Sequence, residues 1–421
     1  MSLVDTPERR QLRELTRSFV TREVLPHLAD WERAGEVPRG LHRKAAELGL
    51  LGIGFPEKVG GSGGDLLDSI VVTEEIIRAG GSSGLVAALF THGIALPHMV
   101  AAAGAAPGLP SPAGAAPGLP SRAGAAAGLP SRAGGHPGAA AGRAAEGLVE
   151  RYVRPTLAGE KIGALAVTEP DGGSDVAGIR TTARLDGEHY VVNGTKTYIT
   201  SGIRADFVTT AVCTGGLAGA GPVSLLVIDK GLPGFTVGPP LAKMGWHCSD
   251  TAELSFADVR VPAANLVGPA DTGFLQIMQH FAAERLSLAT SAYATAQRCC
   301  DLTVRWCRDR HTFGRPLATR QVIRHRLAEM ATVTEAARSF VHDVATRVAT
   351  GQPLVAEVAM AKNVAVAACD RVVDAGVQLH GGFGYLRDAE VERHYRDARI
   401  LGIGGGTTEI MNEIIAKGMG I

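Results

Sequence analysis

The chain has 421 residues, and its 42 lysine and arginine residues balance its 42 aspartate and glutamate residues, which leaves a formal net charge of zero. A neutral chain exerts no long-range attraction on nucleic acid or on an anionic membrane, so neither is expected as a partner. The length accommodates two or three domains, because a domain usually has about 100 to 200 residues.

The six cysteines form no Cys-x-x-Cys pair and no regular framework: Cys213, Cys248, Cys299, Cys300, Cys307 and Cys369. This argues against a disulfide scaffold and a structural zinc site, and no metal is predicted. The first twenty residues are rich in arginine and glutamate without the apolar core of a signal peptide, and no apolar run is long enough to span a bilayer. We therefore predict a soluble cytoplasmic protein with reduced thiols and no membrane insertion.

The first part of the chain, residues 1–160, is predicted to be a helical domain. Thr6 and Pro7 have the pattern of an N-cap followed by proline in the first turn, and they should open an amphipathic helix that continues to about Arg33. Further helical segments continue to about Met99.

A ten-residue repeat then interrupts this domain, with copies at 103–112, 113–122 and 123–132 and a decayed copy at 133–142. The tract consists mainly of alanine, glycine, proline and serine, so it has little apolar bulk to offset chain entropy, and we predict a disordered insertion at about 103–142. A tolerated tandem expansion is favoured over a docking arm for a partner, because the entropy cost of a longer loop grows slowly.

From Lys161 the pattern changes to short alternating segments typical of strands. Turn dipeptides at 186–187 and 193–194 flank the alternating run 188–192, and 223–229 and 254–261 are further strand candidates. Residues 161–268 should therefore form a small antiparallel β-domain.

Residues 269–421 are predicted to be a helical bundle. Apolar positions recur at spacings of three and four along one long helix, at Leu286, Ala289, Tyr293, Ala296, Cys300, Val304 and Cys307. Two more long helices are expected at about 319–350 and 354–380. A final helix should start after the triple glycine 404–406, with Thr407 or Thr408 as N-cap, and end at Gly418. The fold class is therefore α+β, with three domains.

Six motifs occur in a fixed order: Thr168–Asp175 (TEPDGGSD), Asn193–Thr200 (NGTKTYIT), Asp250–Leu254 (DTAEL), Arg310–Gly314 (RHTFG), Gln378–Gly384 (QLHGGFG) and Ile403–Ile410 (IGGGTTEI). Each motif alone is weak evidence for membership of a family, but all six together and in this order are strong evidence. The chain resembles the acyl-CoA dehydrogenase family over nearly its whole length apart from the insertion. The resemblance implies the same three-domain fold and FAD as cofactor.

Gly405 stands where most of that family has a glutamate that takes the α-proton of the substrate. Glu284, in the segment Phe281–Leu286 (FAAERL), resembles the position at which the long-chain and isovaleryl-CoA enzymes carry a glutamate instead. Glu284 is therefore the predicted catalytic base. We place it at the start of the long helix, where the dipole would favour the anion, so desolvation would have to dominate for its pKa to rise. The alternative is an ordinary surface carboxylate in a first helical turn.

The resemblance also assigns the contacts of FAD and substrate. The backbone N–H of Gly405 would polarise the thioester carbonyl. The predicted contacts of FAD within one chain are Thr168, Gly173, Ser174, Tyr198, Thr200, Thr407 and Glu409. A neighbouring subunit of a homotetramer, a dimer of dimers, would contribute Arg310, Phe313, Gln321, Gln378, Gly381 and Gly382. The predicted substrate contacts are Ser174, Phe281, Arg285 and Gly406, although Arg285 could equally be a structural ion-pair residue. His380 is predicted to be a packed histidine at a helix end.

The resemblance implies FAD-dependent α,β-dehydrogenation of an acyl-CoA thioester to the trans-2-enoyl-CoA, with electrons passed to an electron-transfer flavoprotein. Three alternatives remain open: the same chemistry on an acyl carrier protein, a flavin-dependent oxidase or monooxygenase, and an inactive scaffold. Chain length and branching of the acyl group are not determined by the sequence. Four small residues are candidates to line a roomy acyl cavity: Gly84, Ala87, Ala88 and Gly93.

Overall fold

The structure is a computed structural model that describes residues 4–104, 137–215, 219 and 221–421, with the backbone alone for 137–141. The N-terminal part of the chain is helical, and its helices are α1 (Pro7–Phe19), α2 (Leu28–Ala34), α3 (Arg39–Glu47), α4 (Leu66–Arg78), α5 (Ser83–Leu89), α6 (His92–Ala95), α7 (Pro97–Ala102), α8 (Pro137–Leu148) and α9 (Arg154–Leu157). The predicted N-cap is confirmed, since the Thr6 side chain accepts a hydrogen bond from the N–H of Arg9.

The single helix predicted to continue to Arg33 is wrong. After α1 the chain forms one π-helical turn, Val20–Val24, and α2 starts only at Leu28. The N–H of Leu25 donates to the carbonyl of Val20, five residues back. Pro26, which follows, has no N–H to continue the ladder, so the helix ends there and a new one begins.

Most of the predicted disordered insertion, residues 105–136, lies outside the described residues. Its end does not, because α8 begins at Pro137, inside the decayed fourth copy of the repeat. The segment that follows contains Ala145 and Leu148, which are buried. These apolar side chains give the helix a face to pack.

The middle part of the chain forms a seven-stranded sheet with β1 (Gly163–Ala166), β2 (Thr182–Asp186), β3 (His189–Thr200), β4 (Phe207–Cys213), β5 (Val223–Asp229), β6 (Phe235–Val237) and β7 (Thr251–Pro262). Antiparallel pairs join β2 to β3, β3 to β7, β7 to β6 and β4 to β5. The prediction of an antiparallel sheet missed two parallel pairings, a single residue pair between β2 and β4, Thr182 with Cys213, and the longer pairing of β1 with β4. A long crossover through β2 and β3 separates these two strands and makes the parallel arrangement possible.

The dipeptide Asp186-Gly187 is a turn, as predicted, and it joins β2 to β3. Asn193-Gly194 is not a turn, because it lies within β3 at a shift in register against β7. The side-chain N–H of Asn193 donates to the Asp258 carboxylate, and the backbone N–H of Asp258 donates to the side-chain oxygen of Asn193, both at 2.9 Å. These two hydrogen bonds join β3 to β7. A Cβ at Gly194 would lie 2.5 Å from Oγ1 of Thr181, so only glycine permits this close approach.

The C-terminal part is a helical bundle of α10 (Gly273–Asp309), α11 (Gln321–Ala349), α12 (Val355–His380), α13 (Glu390–Ala398) and α14 (Thr408–Gly418), with a small hairpin of β8 (His311–Thr312) and β9 (Arg315–Pro316). Helices α11, α12 and α14 agree with the prediction, whereas α10 starts at Gly273, well before the predicted start at Glu284. The Thr407 side chain caps α14 by accepting from the N–H of Ile410. The predicted stripe on α10 faces inward, with Leu286, Ala289, Tyr293 and Ala296 fully buried.

Helix α10 is the central element of the fold. Its buried side chains join one apolar core with those of α1, α4, α11 and α12, and its first turns reach a second core against the β-domain. All six cysteines are buried, and none of them forms a disulfide. Over the described ranges, no single helix is long and apolar enough to cross a membrane. One bent pair of segments in these ranges, Ser83–Leu89 and His92–Ala102, reaches that length and apolar composition when the two are taken together.

Candidate active site

A cavity of about 1660 Å³ lies where the three parts of the chain meet. Its wall is formed by residues of α4 and α5, by the loop that follows β1, by the end of β3, by the first half of α10 and by the glycine loop before α14. No part of the chain alone encloses this space. The packing of all three around α10 therefore creates the cavity.

Glu284 lies on the cavity wall and is half-buried. The helix that carries it begins at Gly273, so Glu284 is in the fourth turn of α10 and not at its start, as the sequence had suggested. Because the effect of a helix dipole is confined to the terminal turns, it does not act on this carboxyl. Burial raises the pKa of Glu284, while the charges of Arg285 and Lys362 oppose the rise. A first-turn surface carboxylate is thereby excluded.

Glu284 and Gly405 lie side by side, as the predicted relocation of the base requires. A Cβ atom on Gly405 would lie 3.5 Å from Oε1 of Glu284 and 2.5 Å from Cδ1 of Leu288. The Glu284 carboxylate and the Leu288 side chain thus fill the space that a side chain at position 405 would use. Gly405 has a φ of +63°, which also favours glycine there.

The glycine loop is held from two helices. Nε of Arg285 on α10 donates to the carbonyl of Gly405 at 3.2 Å, and Nζ of Lys362 on α12 donates to the carbonyl of Gly406 at 2.6 Å. The N–H groups of Gly405 and Gly406 donate to no group in the described part of the chain. A backbone donor beside the Glu284 carboxylate is therefore free to meet a ligand in the cavity.

The loop after β1, residues 168–175, is anchored by a buried ion pair. The Glu169 carboxylate accepts from Nζ of Lys196 at 2.7 Å and from the N–H groups of Arg180 and Thr181 at 2.7 and 2.9 Å. Burial favours a raised pKa for Glu169, but Lys196 and the N–H donors outweigh it and hold the pKa below its ordinary value. Burial lowers the pKa of Lys196, which is completely inaccessible, to about 8.

Lys196 and Lys362 are site residues that the sequence reasoning missed. A usable signal was present for Lys196, since it occupies an inward position of β3 between the apolar positions Val192 and Ile199. Lys362 stands in the apolar run Val358–Val366 of α12, where a lone lysine on the buried side of a helix indicates a specific partner.

Five residues predicted to contact flavin line the cavity together, namely Thr168, Gly173, Ser174, Tyr198 and Thr200. The register shift between Lys196 and Ile199 in β3 turns Tyr198 outward, with a φ of +58° and an exposed fraction of 70%. The hydroxyls of Thr168, Ser174 and Thr200 have no hydrogen-bond partner within the ranges that the structure describes. An open aromatic face beside free hydroxyls and a small glycine suits a flat, polar-edged ring system such as a flavin.

The predicted substrate contacts Phe281, Arg285 and Gly406, together with Ser174, also line the cavity, as does Thr407. The Arg285 guanidinium stacks over the Phe281 ring, 5.0 Å from its centre. Two of the four small residues expected around an acyl group, Ala87 and Gly93, are in the wall. Gly84 and Ala88 are not, because both are buried, and a Cβ on Gly84 would lie 2.9 Å from Cα of Trp246.

The remaining predicted cofactor residues do not reach the cavity of their own chain. Glu409 is exposed in the first turn of α14. Six others are exposed on one surface formed by the end of α10, the β8–β9 hairpin, the start of α11 and the end of α12: Arg310, Phe313, Gln321, Gln378, Gly381 and Gly382. Their contribution from a neighbouring subunit stays a prediction.

A stack of aromatic rings forms the centre of that surface. Trp306 stacks on Phe383 with ring centres 5.1 Å apart, and on His380 at 4.9 Å, while Arg310 lies over the Trp306 ring at 5.9 Å. Nδ1 of His380 lies 2.7 Å from the carbonyl of Gly376, so it is a packed helix-end histidine as predicted. We name Trp306, Arg310, His380 and Phe383 the aromatic stack.

The fold and the site together define a class of protein, an oxidoreductase with a carboxylate poised beside a free backbone donor and a flavin-compatible cradle. Three family models match the chain, namely "Acyl-CoA dehydrogenase, N-terminal domain" over residues 6–106, "middle domain" over 164–259 and "C-terminal domain" over 271–420. The chain belongs to the acyl-CoA dehydrogenase family, whose members are FAD-dependent oxidoreductases.

Similar proteins agree with this assignment. A crystal structure of a probable acyl-CoA dehydrogenase from Mycobacterium abscessus is 59% identical, with a TM-score of 0.87, and the match covers 99% of this chain and 100% of that one. The mitochondrial long-chain specific acyl-CoA dehydrogenase of Sus scrofa is 35% identical over 96% of this chain and 85% of its own length. The acryloyl-CoA reductase (NADH) of Anaerotignum propionicum is 34% identical over 98% and 94%, respectively.

Proposed function

We propose that the protein is an FAD-dependent acyl-CoA dehydrogenase that converts an acyl-CoA thioester to the trans-2-enoyl-CoA with Glu284 as the base. The observation that supports this most directly is the place of Glu284, whose Oε1 lies 3.5 Å from where a Cβ of residue 405 would be. The carboxylate thus lies next to the place that a side chain at position 405 of the glycine loop would otherwise occupy.

Removal of hydrogen from the α and β carbons of a thioester requires a base, a donor to the carbonyl and a hydride acceptor. Glu284 takes the α-proton on its carboxylate, and the raised pKa that burial produces makes it a stronger base than an exposed glutamate. The N–H of Gly405 donates to the thioester oxygen, which stabilises the charge that develops there. FAD, when bound, supplies the acceptor for the β-hydride, which no amino-acid side chain provides.

The chain's own residues divide the work of binding. Thr168, Gly173, Ser174, Tyr198 and Thr200 would hold the isoalloxazine part of FAD, with Thr407 and Glu409 at the last contacts. Arg285, Phe281, Ser174 and Gly406 would contact the CoA thioester. The ion pair of Glu169 and Lys196 keeps the loop 168–175 in place for this purpose.

We further propose a homotetramer in which Arg310, Phe313, Gln321, Gln378, Gly381 and Gly382 complete the FAD site of a neighbouring subunit. The observation behind this is that all six are exposed on the same surface as the aromatic stack and away from their own cavity. Two phenylalanines on this surface are exposed, Phe313 by 95% and Phe383 by 45%, and exposed aromatic side chains are typical of an interface.

The experiment that tests the function is anaerobic titration of the FAD-loaded protein with a panel of acyl-CoA thioesters of different length and branching. Bleaching of the flavin absorbance with formation of the enoyl-CoA supports the proposal, and transfer of the electrons to an electron-transfer flavoprotein identifies the acceptor. Bleaching by acyl carrier protein thioesters alone would change the carrier. Oxygen consumption without anaerobic bleaching would indicate an oxidase, and an inert flavin would indicate a scaffold.

A further inference from the structure

Lys362 is a buried cation next to the proposed active site whose position calls for a functional reason. Its side chain is completely inaccessible to solvent and lies among the apolar residues Val358, Ala361 and Ala365 of α12. Burial lowers its pKa to about 8, an effect to which the charge of Arg285 adds and which the Glu284 carboxylate opposes. A buried ammonium group is costly unless specific partners match it, and the partners here belong to the glycine loop.

The geometry of the loop explains one part of its role. Three consecutive glycines have the largest conformational freedom of any tripeptide, and Gly405 and Gly406 both have positive φ angles, +63° and +96°. Lys362 holds the carbonyl of Gly406 at 2.6 Å, and Arg285 holds the preceding carbonyl, of Gly405, at 3.2 Å. Two donors from two different helices therefore fix a loop that has no side chains of its own with which to pack.

Electrostatics supply the second part. Burial raises the pKa of Glu284, and the two charges that oppose the rise are those of Arg285, on the same helix, and Lys362, on α12. The other ionisable groups on the cavity wall are Asp65, His92, Glu169, Asp175, Tyr198, Lys243, His280 on α10, Arg396 on α13, Arg399 before the glycine loop, and Glu413 and Lys417 on α14. A carboxyl whose pKa is raised too far would be protonated at neutral pH and could not act as a base. A nearby cation opposes this rise in pKa and so preserves the ionised, active form.

We propose that Lys362 is a positioning residue of the active site, which holds the glycine loop against Glu284 through the Gly406 carbonyl and keeps that carboxylate ionised in the cavity. This inference rests on the proposed function for its kinetic consequence. Its electrostatic consequence concerns the resting protein and can be measured without turnover.

The test compares Lys362→Met, which keeps the length of the side chain but removes its charge and its donor, with Arg371→Met. Arg371 lies on the same helix, is exposed and pairs with Glu329 away from the cavity, so this control also removes one positive charge from α12. In Lys362→Met the rate constant of flavin reduction at pH 7 should fall at least about tenfold. The acidic limb of the pH profile of this rate constant should move up by about one pH unit. Arg371→Met should match the native protein in both.

The second measurement is infrared difference spectroscopy of the FAD-loaded protein without substrate, following the carboxylic acid C=O band that Glu284→Gln removes. In Lys362→Met this band should titrate about one pH unit higher than in the native protein. An unchanged midpoint overturns the proposal, whether or not the reaction slows, because it shows that Lys362 does not act on Glu284. A shifted midpoint in a protein whose flavin no acyl-CoA reduces supports the charge effect and counts against the proposed function alone.

Discussion

Oε1 of Glu284 lies 3.5 Å from the point at which a side chain on Gly405 would begin, although the two residues are 121 positions apart in the chain. The proposed base and the glycine loop are therefore brought together by the packing of α10 against the segment before α14. Each of the two residues is unremarkable alone.

Glu284→Gln should retain FAD and lose flavin reduction by acyl-CoA. The amide preserves the shape of the side chain but cannot take a proton, and loss of a general base costs about 100- to 10,000-fold in rate. Rapid-mixing absorbance measurements under anaerobic conditions give the rate constant, and the flavin content is read from the spectrum. Asp301→Asn, which neutralises an exposed carboxylate further along α10, is the control and should behave like the native protein. Undiminished reduction in Glu284→Gln would exclude the assignment.

A glutamate placed at position 405 should restore activity only when space is made for it. When Gly405→Glu is added to Glu284→Gly, the new Cβ at position 405 would lie only 2.5 Å from Cδ1 of Leu288. The backbone φ of +63° at this position is also unfavourable for glutamate. We expect Glu284→Gly/Leu288→Ala/Gly405→Glu to reduce its flavin about tenfold faster than Glu284→Gly/Leu288→Ala, because a general base is regained in a strained position. Equal rates for the two, with both proteins folded, would mean that positions 284 and 405 do not serve the same carbon.

Lys196→Met should loosen the loop that carries Thr168 and Ser174. Removal of one partner from a buried ion pair leaves the Glu169 carboxylate uncompensated, at a cost of about 3 to 5 kcal/mol in the free energy of unfolding. Denaturant unfolding of the FAD-free protein measures this cost, and fluorescence titration measures the affinity for FAD, which should fall. The double variant Lys196→Met/Glu169→Gln should recover part of the stability, since no buried charge remains. A double variant less stable than Lys196→Met would contradict this account.

Asp397→Asn should flatten the dependence of stability on pH. Burial, reinforced by the Glu32 carboxylate, raises the pKa of Asp397 from 3.8 to about 7. Between these values the folded protein keeps a proton that the unfolded chain releases, so the native protein loses up to about 1.4 kcal/mol of stability per pH unit as the pH rises from about 4 to about 7. The N–H of Trp246 donates to Oδ1 of Asp397 at 2.6 Å, and the side-chain oxygen of asparagine can accept the same hydrogen bond.

This expectation is checked by denaturant unfolding of both proteins at several pH values. The variant should become increasingly more stable than the native protein as the pH rises to about 7, and the difference should then stay constant. Parallel curves for the two proteins would show that Asp397 is already ionised in the folded state throughout this range.

Phe383→Glu should weaken subunit association and, with it, retention of FAD. The side chain stacks on Trp306 and is 45% exposed, so a charge there stays wet in the free subunit but would be buried unpaired in an interface. Light scattering after size exclusion should show a smaller assembly than that of the native protein. Val355→Glu, at an exposed site at the start of α12, is the control. An unchanged mass and FAD content in Phe383→Glu would place the interface elsewhere.

Local patterns were sufficient for most elements. The periodicity of α11 and α12 and the capping threonine at 407 predicted helices whose ends agree with the structure closely, whereas α10 starts at Gly273, eleven residues before the predicted start. Two other failures have specific causes. Pro26 ends a helical pattern that is otherwise continuous, and Asn193-Gly194 has the composition of a turn but forms a bulge, because Asp258 on β7 pairs with its side chain.

The sequence by itself determined the family, the three parts of the fold and the absence of a carboxylate at position 405, and it supplied Glu284 as the candidate replacement, since all of these depend on which residues occur in which order. Only the tertiary structure decided that Glu284 stands in the fourth turn of its helix, that Leu288 fills the space next to it, and that the buried Lys196 and Lys362 bond to the loop 168–175 and to the glycine loop, respectively. Such facts depend on the packing of helices and strands that are far apart in the chain, and burial, which sets both the cost of a charge and its pKa, exists only after that packing has formed.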